Sequence, residues 1–281
     1  NEPTLAPRLF SAMWGLWLAV GPLSHGLELV DAARDAHPDP VLDLLRGRLL
    51  VYMGRYVEAL EALRDAVKGV LTKDQRALVL DLIAGLASGD EAASARREAD
   101  LLLGDDAMGA AERHESRAAA AWADGDIETA RRETEAAAAL FMRLGRGKRL
   151  LVQRINRGSH MRDLGEHAEA MRVLLRVHSD AESIRFGMAE LYALYNLAHV
   201  HADRGDLAEA RATFSRVAQR GYRHGSLGLA ARAEVWRALL AEPAAMAQEV
   251  GEALAVAETI GDHEAMAFAR AALTRLGSSL K

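Results

Sequence analysis

The chain has 281 residues, half of them hydrophobic but only 5% aromatic, with 6 prolines, no cysteine and a formal net charge of −5. That length can bury a sizeable core in one large domain or two ordinary ones, and heavy alanine use with few prolines and few β-branched runs favours packed helices over sheets. Basic residues interleaved with a slight acidic excess argue against direct nucleic-acid binding, and the absence of thiols removes disulfides, thiolate catalysis and cysteine-type zinc sites, which suits a cytoplasmic home.

The first apolar run, LFSAMWGLWLAVGPL at 9–23, follows Arg8 and superficially fits a secretion signal. It is shorter than the roughly 20 residues of a membrane span and carries Gly15, Gly21 and Pro22. A buried first helix is expected instead, within a hairpin over 5–38 that turns near Gly21. A second hairpin is expected over 40–73 around Gly54, and a third over 75–105 around Gly89. The fourth and fifth, 111–144 and 151–184, turn at Gly125 of DGDIETA and Gly165 of LGEHAEA. The sixth, 191–224, turns at Gly205 of RGDLAEA. The five turn glycines from Gly54 onward lie 35, 36, 40 and 40 residues apart, which marks a repeated unit. The stretch 226–260 reads as a seventh hairpin with Trp236 but no clear glycine turn, and 263–277 as a closing helix ending at Gly277. All of it reads as one domain over 1–281, and Asn1 in place of an initiator Met reads as the start of a piece of a longer protein.

Each unit has an apolar stripe of helical period on either side of its glycine, such as Leu191, Leu194 and Leu197 before Gly205 and Leu207, Ala210 and Phe214 after it. The glycine supplies the left-handed turn that ends the first helix, and Asp206, Asp126 or Asp90 is placed to cap the second. Small pairs fall where antiparallel helices must approach closely: Ala198 with Ala210, Gly158 with Ala170, Gly47 with Ala59. The expected fold is all-α, a right-handed α-solenoid of about seven helical hairpins plus a C-terminal capping helix.

The stretch NLAHVHADRGDLAEARATF at 196–214 also resembles a tetratricopeptide repeat. Asn196, Leu197, Ala198, Gly205, Asp206, Glu209, Ala210 and Phe214 fill the family's familiar places, and Asn156, Gly158, Gly165, Glu166, Glu169 and Ala170 fill them one unit earlier. The copies around Gly89 and Gly125 are more degenerate, with Ser94 and Thr134 at places usually held by Ala and an aromatic. The opening hairpin is similar to the start of the tetratricopeptide region in large bacterial signalling ATPases and MalT-like regulators. The resemblance implies a module of a bacterial signalling or regulatory protein that binds a protein or peptide partner or senses a small inducer.

Several residues invite a catalytic reading. His199 and His201 lie two apart, so they point to different faces of a helix and do not share one metal readily. HESRA at 114 and HEAMA at 263 lack the second His of an HExxH zinc motif. LGRGKRL at 144–150 lacks the frame of a phosphate-binding loop and reads as an inter-repeat turn, and Ser159 and His160 are helix neighbours about 100° apart rather than a nucleophile–base pair. Neither an enzyme nor a bound cofactor or metal is expected.

What remains is surface. In such an array the first helix of each hairpin lines the concave face. Counting back from each glycine puts Arg48 and Tyr52, then Glu115 and Trp122, on that face. Ile155, Ser159 and Arg162 follow, then Tyr192, Tyr195, His199 and Asp203. Aromatic and Arg side chains dominate many binding surfaces, so these residues form the candidate groove, although Trp122, Tyr192 and Tyr195 also suit packing between repeats. Self-assembly or an intramolecular scaffold role, with no diffusible ligand, is the alternative, and homo-oligomerisation stays open. Neither nucleic acid nor membrane is an expected partner.

Overall fold

The computed structural model describes residues 5–279 apart from residue 105, with side chains as far as residue 276. Asn1, and residue 105 at the end of the third expected hairpin, lie outside the described residues. Among those residues the chain forms fifteen α-helices and no strand. Helix α1 (Leu5–Val20) pairs with α2 (Leu23–Ala36), α3 (Pro40–Met53) with α4 (Tyr56–Ala66), and α5 (Lys73–Leu86) with α6 (Gly89–Leu102). Next come α7 (Ala107–Ala123) with α8 (Ile127–Arg143) and α9 (Gly147–Asp163) with α10 (His167–Ser183). The last pairs are α11 (Gly187–Asp203) with α12 (Leu207–His224) and α13 (Leu227–Leu239) with α14 (Pro243–Ile260). Helix α15 (His263–Ser279) packs on α13 and α14, and runs two residues past the expected stop at Gly277. Most packing joins helices adjacent in sequence, as in an α-solenoid.

Local chemistry accounts for most of the hairpins. All five spacing glycines have positive φ, from +60° at Gly89 to +84° at Gly205. Gly89 differs in place, since it opens α6 behind Ser88. Asp126 caps α8 as expected, accepting from the Thr129 amide at 3.0 Å. Asp206 makes no such bond; its carboxylate lies 3.3 Å from Arg204 Nε, an ion pair that competes with capping. Asp90 sits inside the first turn of α6, two residues past the capping position at Ser88. The close approaches are real: a Cβ added at Gly47 would stand 3.3 Å from the Ala59 carbonyl, as expected, but the tightest contacts come from a leucine one turn further on. A Cβ added at Gly47 or Gly158 would come within 2.7 Å of Leu63 or Leu174, respectively.

Helix α1 is buried on one side only. Trp17 and Leu18 are in the core, whereas Leu5, Leu9, Leu16 and Val20 are 51% to 60% exposed. At the end of a stack one helix face has no neighbour, and this apolar stripe is that face.

The superhelix winds tightly enough to return its first hairpins to its sixth and seventh. Ser226 Oγ donates to the Tyr52 carbonyl at 3.2 Å, and Arg232 Nη2 donates to Tyr56 Oη at 3.0 Å. Gly54 and Gly228 meet backbone to backbone: a Cβ on either would stand 2.5 or 2.6 Å from the other's Cα. Gly187 packs against the Ala19 carbonyl in the same way, at 2.7 Å. One hydrophobic core runs through Leu23 and Leu49 of the first hairpins and Leu197, Phe214 and Leu229 of the later ones, with no buried member from α5 to α8. The first helices of the hairpins line the inner face of this superhelix, its lumen.

Candidate functional site

Inside the ring is a cavity of about 490 Å³. Of the residues placed on the concave face, it gathers Trp122 from α7, Ile155, Ser159 and Arg162 from α9, and Tyr192, Tyr195 and His199 from α11. Each sits on a first helix, at spacings of three and four that keep one face turned inward. The other concave-face residues lie elsewhere. Asp203 stands at the rim, 3.5 Å from Arg162 Nε. Arg48, Tyr52 and Glu115 occupy a separate polar part of the interior. There the Arg48 guanidinium stacks 3.7 Å over the Trp14 ring, whose centroid lies 5.7 Å from that of Tyr52. Glu115 accepts from Arg149 Nη2 at 2.5 Å and Gln153 Nε2 at 2.6 Å. Burial pushes the Glu115 carboxyl above the usual range against the pull of Arg149, and lowers Arg48 to about 10.

The cavity has an aromatic wall and two charged corners. His199 sits edge-on to Tyr195, Trp236 and Phe214, with ring centroids 4.7, 4.8 and 5.0 Å away. Burial, helped by the nearby Arg162, drops its pKa to about 3. So weak a base is unsuited to general-base work near neutral pH. Burial likewise lowers His160, whose Nδ1 has no partner among the described residues, and raises the Tyr195 phenol. At one corner Arg162 pairs with Asp163 at 2.5 Å, and Asp163 accepts from Trp122 Nε1 at 3.1 Å. At the other, Arg232 donates to Glu264 Oε2 at 2.8 Å and approaches Asp262 to 3.7 Å. Asp262 is fully buried and caps α15 through the Ala265 amide at 2.8 Å.

Sequence reasoning missed Arg232, Trp236, Glu264 and Phe268 as lining residues. The count ran back from each turn glycine, and the seventh hairpin has none. A signal was present all the same: one more forty-residue step carries Tyr192 to Arg232 and Asn196 to Trp236. His199 and His201 part company as their spacing requires: His199 faces the cavity, while His201 lies 3.7 Å from Asp206 outside it. Among the described residues no group of three or more His, Cys, Asp or Glu is placed to hold a metal ion, and no helix is long and apolar enough to cross a membrane.

No protein-family model and no curated protein matches the chain. Solved structures do resemble it. A Rap protein complexed with competence and sporulation factor superposes on all of this chain and 88% of its own, with a TM-score of 0.67 at 13% identity. Aspartyl phosphate phosphatase F from Bacillus subtilis gives a TM-score of 0.56 at 12% identity, over 96% of this chain and 78% of that one. A signal transduction ATPase with numerous domains from Pyrococcus horikoshii, which has a tetratricopeptide repeat sensor, gives 0.57 at 12% identity, over 99% of this chain but only 45% of its own. Together with the seven helical hairpins and closing helix described above, these likenesses show the fold: a helical solenoid of the tetratricopeptide type.

Proposed function

We propose that the chain is a non-catalytic binding module that takes a peptide, a segment of a partner protein or a small inducer into its lumen. In this reading it serves as the sensing part of a bacterial signalling or regulatory protein in the cytoplasm. The observation that carries the reading is the 490 Å³ cavity, with Trp122, Tyr192, Tyr195 and Trp236 beside a few polar groups. Ligand sites are mostly apolar concavities of this size with a small number of placed polar atoms. The Rap protein's bound competence and sporulation factor and the ATPase's sensor region lend support by analogy of fold. The phosphatase activity named for one neighbour does not carry over at 12% identity.

A thermal-shift screen against peptides and metabolites, followed by calorimetry on the hits, tests this. Trp122 is half exposed, so Trp122→Ala should fold as the parent does and weaken a true lumen ligand by about tenfold or more. Ser159→Trp, which projects an indole into the cavity, should abolish binding. A ligand whose affinity survives both substitutions binds elsewhere, and the reading fails.

A second reading, self-assembly, is favoured by the exposed stripe Leu5, Leu9, Leu16 and Val20 on α1. Light scattering over a concentration series separates the two. A species that stays monomeric at high concentration removes the assembly reading, whereas an oligomer dispersed by Leu9→Glu supports it.

A further inference from the structure

The geometry points to a cation subsite at Glu264: the cavity takes a protonated amine or guanidinium carried on an apolar body, with the Glu264 carboxylate as its counter-charge and the Trp236 and Phe268 rings beside it. This rests on the reading of the cavity as a ligand site and names the ligand's charge.

Charge decides between an anion and a cation. The cavity shows two guanidinium groups, Arg162 and Arg232, and both are already claimed. Arg162 lies against Asp163 and Asp203, and Arg232 against Asp262 and Glu264, so two cations face four carboxylates. Burial pushes the Asp262 carboxyl upward. Even with Asp262 counted as neutral, three carboxylates stand against two cations. His160 and His199 add no positive charge, because burial keeps both imidazoles neutral. An anionic group would have to share Arg162 or Arg232 with the carboxylates already on them and sit in the acidic excess around them. A cation displaces nothing.

Glu264 has room for it. Its side chain is about half exposed, and among the described residues its one hydrogen bond is Oε2 to Arg232. An ionised carboxylate has about four acceptor positions, so Oε1 can take a second donor while Arg232 stays in place. Phe268 lies one turn after Glu264 on α15, on the same helix face, and its ring centroid is 5.6 Å from that of Trp236. A carboxylate beside aromatic rings in a partly dry cavity suits an organic cation, which gains from both the charge and the ring quadrupoles.

The test uses matched pairs and calorimetry on the whole chain. 4-Phenylbutylamine is compared with 4-phenylbutanol, and the peptide Ac-Phe-Arg-NH2 with Ac-Phe-Gln-NH2. At least one cation should bind about tenfold tighter than its neutral counterpart, and Glu264→Gln should reduce that preference to about twofold or less. The pair that shows the preference tells whether the cation comes from a free amine or a peptide side chain. Equal binding within both pairs, or a preference that survives Glu264→Gln, overturns the subsite. If the neutral probes bind and Ser159→Trp removes them, the cavity remains a ligand site without this charge preference. If none of the four binds, the cavity reading fails and the subsite with it.

Discussion

Gly228→Ala is expected to lower the thermal midpoint by about 2–6 °C, whereas Gly251→Ala, on the neighbouring α14, should leave it unchanged or raise it slightly. The two substitutions add the same methyl group to a helix, and only its surroundings differ. At Gly228 the new Cβ stands 2.6 Å from the Gly54 Cα and 2.6 Å from Asp262 Oδ2. Neither can retreat cheaply: Gly54 is backbone at the end of α3, and Asp262 is fully buried with its other oxygen bonded to the Ala265 amide. Forcing atoms into so tight a contact destabilises by about 1–3 kcal/mol. At Gly251 the added Cβ would meet no other described residue within 4 Å beyond its own helical turn, and Ala in place of Gly in a helix gains up to about 1 kcal/mol. Gly228 also holds the contact that closes the ring, so α1 to α4 should fray from α11 to α13 when it fails. Differential scanning calorimetry reads the midpoint, and small-angle scattering reads the larger radius of an opened ring. An unchanged melt for Gly228→Ala would mean that the first and last hairpins do not meet in solution.

That closure marks the limit of what the sequence reveals. The hairpins were legible because each is a local matter: Gly125, Gly165 and Gly205 each turn the chain, and their forty-residue spacing repeats the turn. The inward face was legible for the same reason, since Ile155 to Tyr195 and Ser159 to His199 are one step apart on equivalent helices. Whether the array closes depends instead on small rotations summed over several repeats, and no single residue reports that sum. Nothing near Gly54 or Gly228 announces that they touch, and Tyr56 gives no hint of Arg232, 176 residues away. The corner at Arg232 and Glu264 escaped for a related reason, whereas Arg162 of the other corner was expected on this face. Glu264 and Phe268 belong to the closing helix, outside the repeat pattern, and only the curvature of the stack brings them over the cavity opened by α9 and α11. The capping errors are local instead: Asp206 had an arginine, Arg204, two residues away as a competing partner.

His199→Phe is expected to remove a large part of the acid sensitivity of the fold. His199 has its usual pKa near 6.5 when unfolded and about 3 when folded, because burial among Tyr195, Phe214 and Trp236 disfavours the imidazolium. Between those values the unfolded chain binds a proton that the folded chain refuses. Stability from this group is therefore fully present above about pH 6.5 and lost as pH falls toward 3. The loss amounts to about 1.4 kcal/mol per pH unit inside the window. The wild-type curve alone would not isolate it. His160, His178 and His224 are also pushed down by burial and act in the same direction, while buried carboxyls pushed upward, such as Asp81, Glu115 and Asp262, act oppositely just above their usual range. Subtracting the His199→Phe curve from the wild-type curve leaves these shared groups behind, since Phe keeps a flat aromatic ring at the site and cannot titrate. Urea unfolding at intervals from about pH 4 to 6 should give a difference that slopes by about 1 kcal/mol or more per unit. A flat difference would mean that water reaches His199 in the folded protein, and the cavity would then be far wetter than its aromatic wall implies. The slope thus measures the dryness on which ligand recognition in the lumen depends.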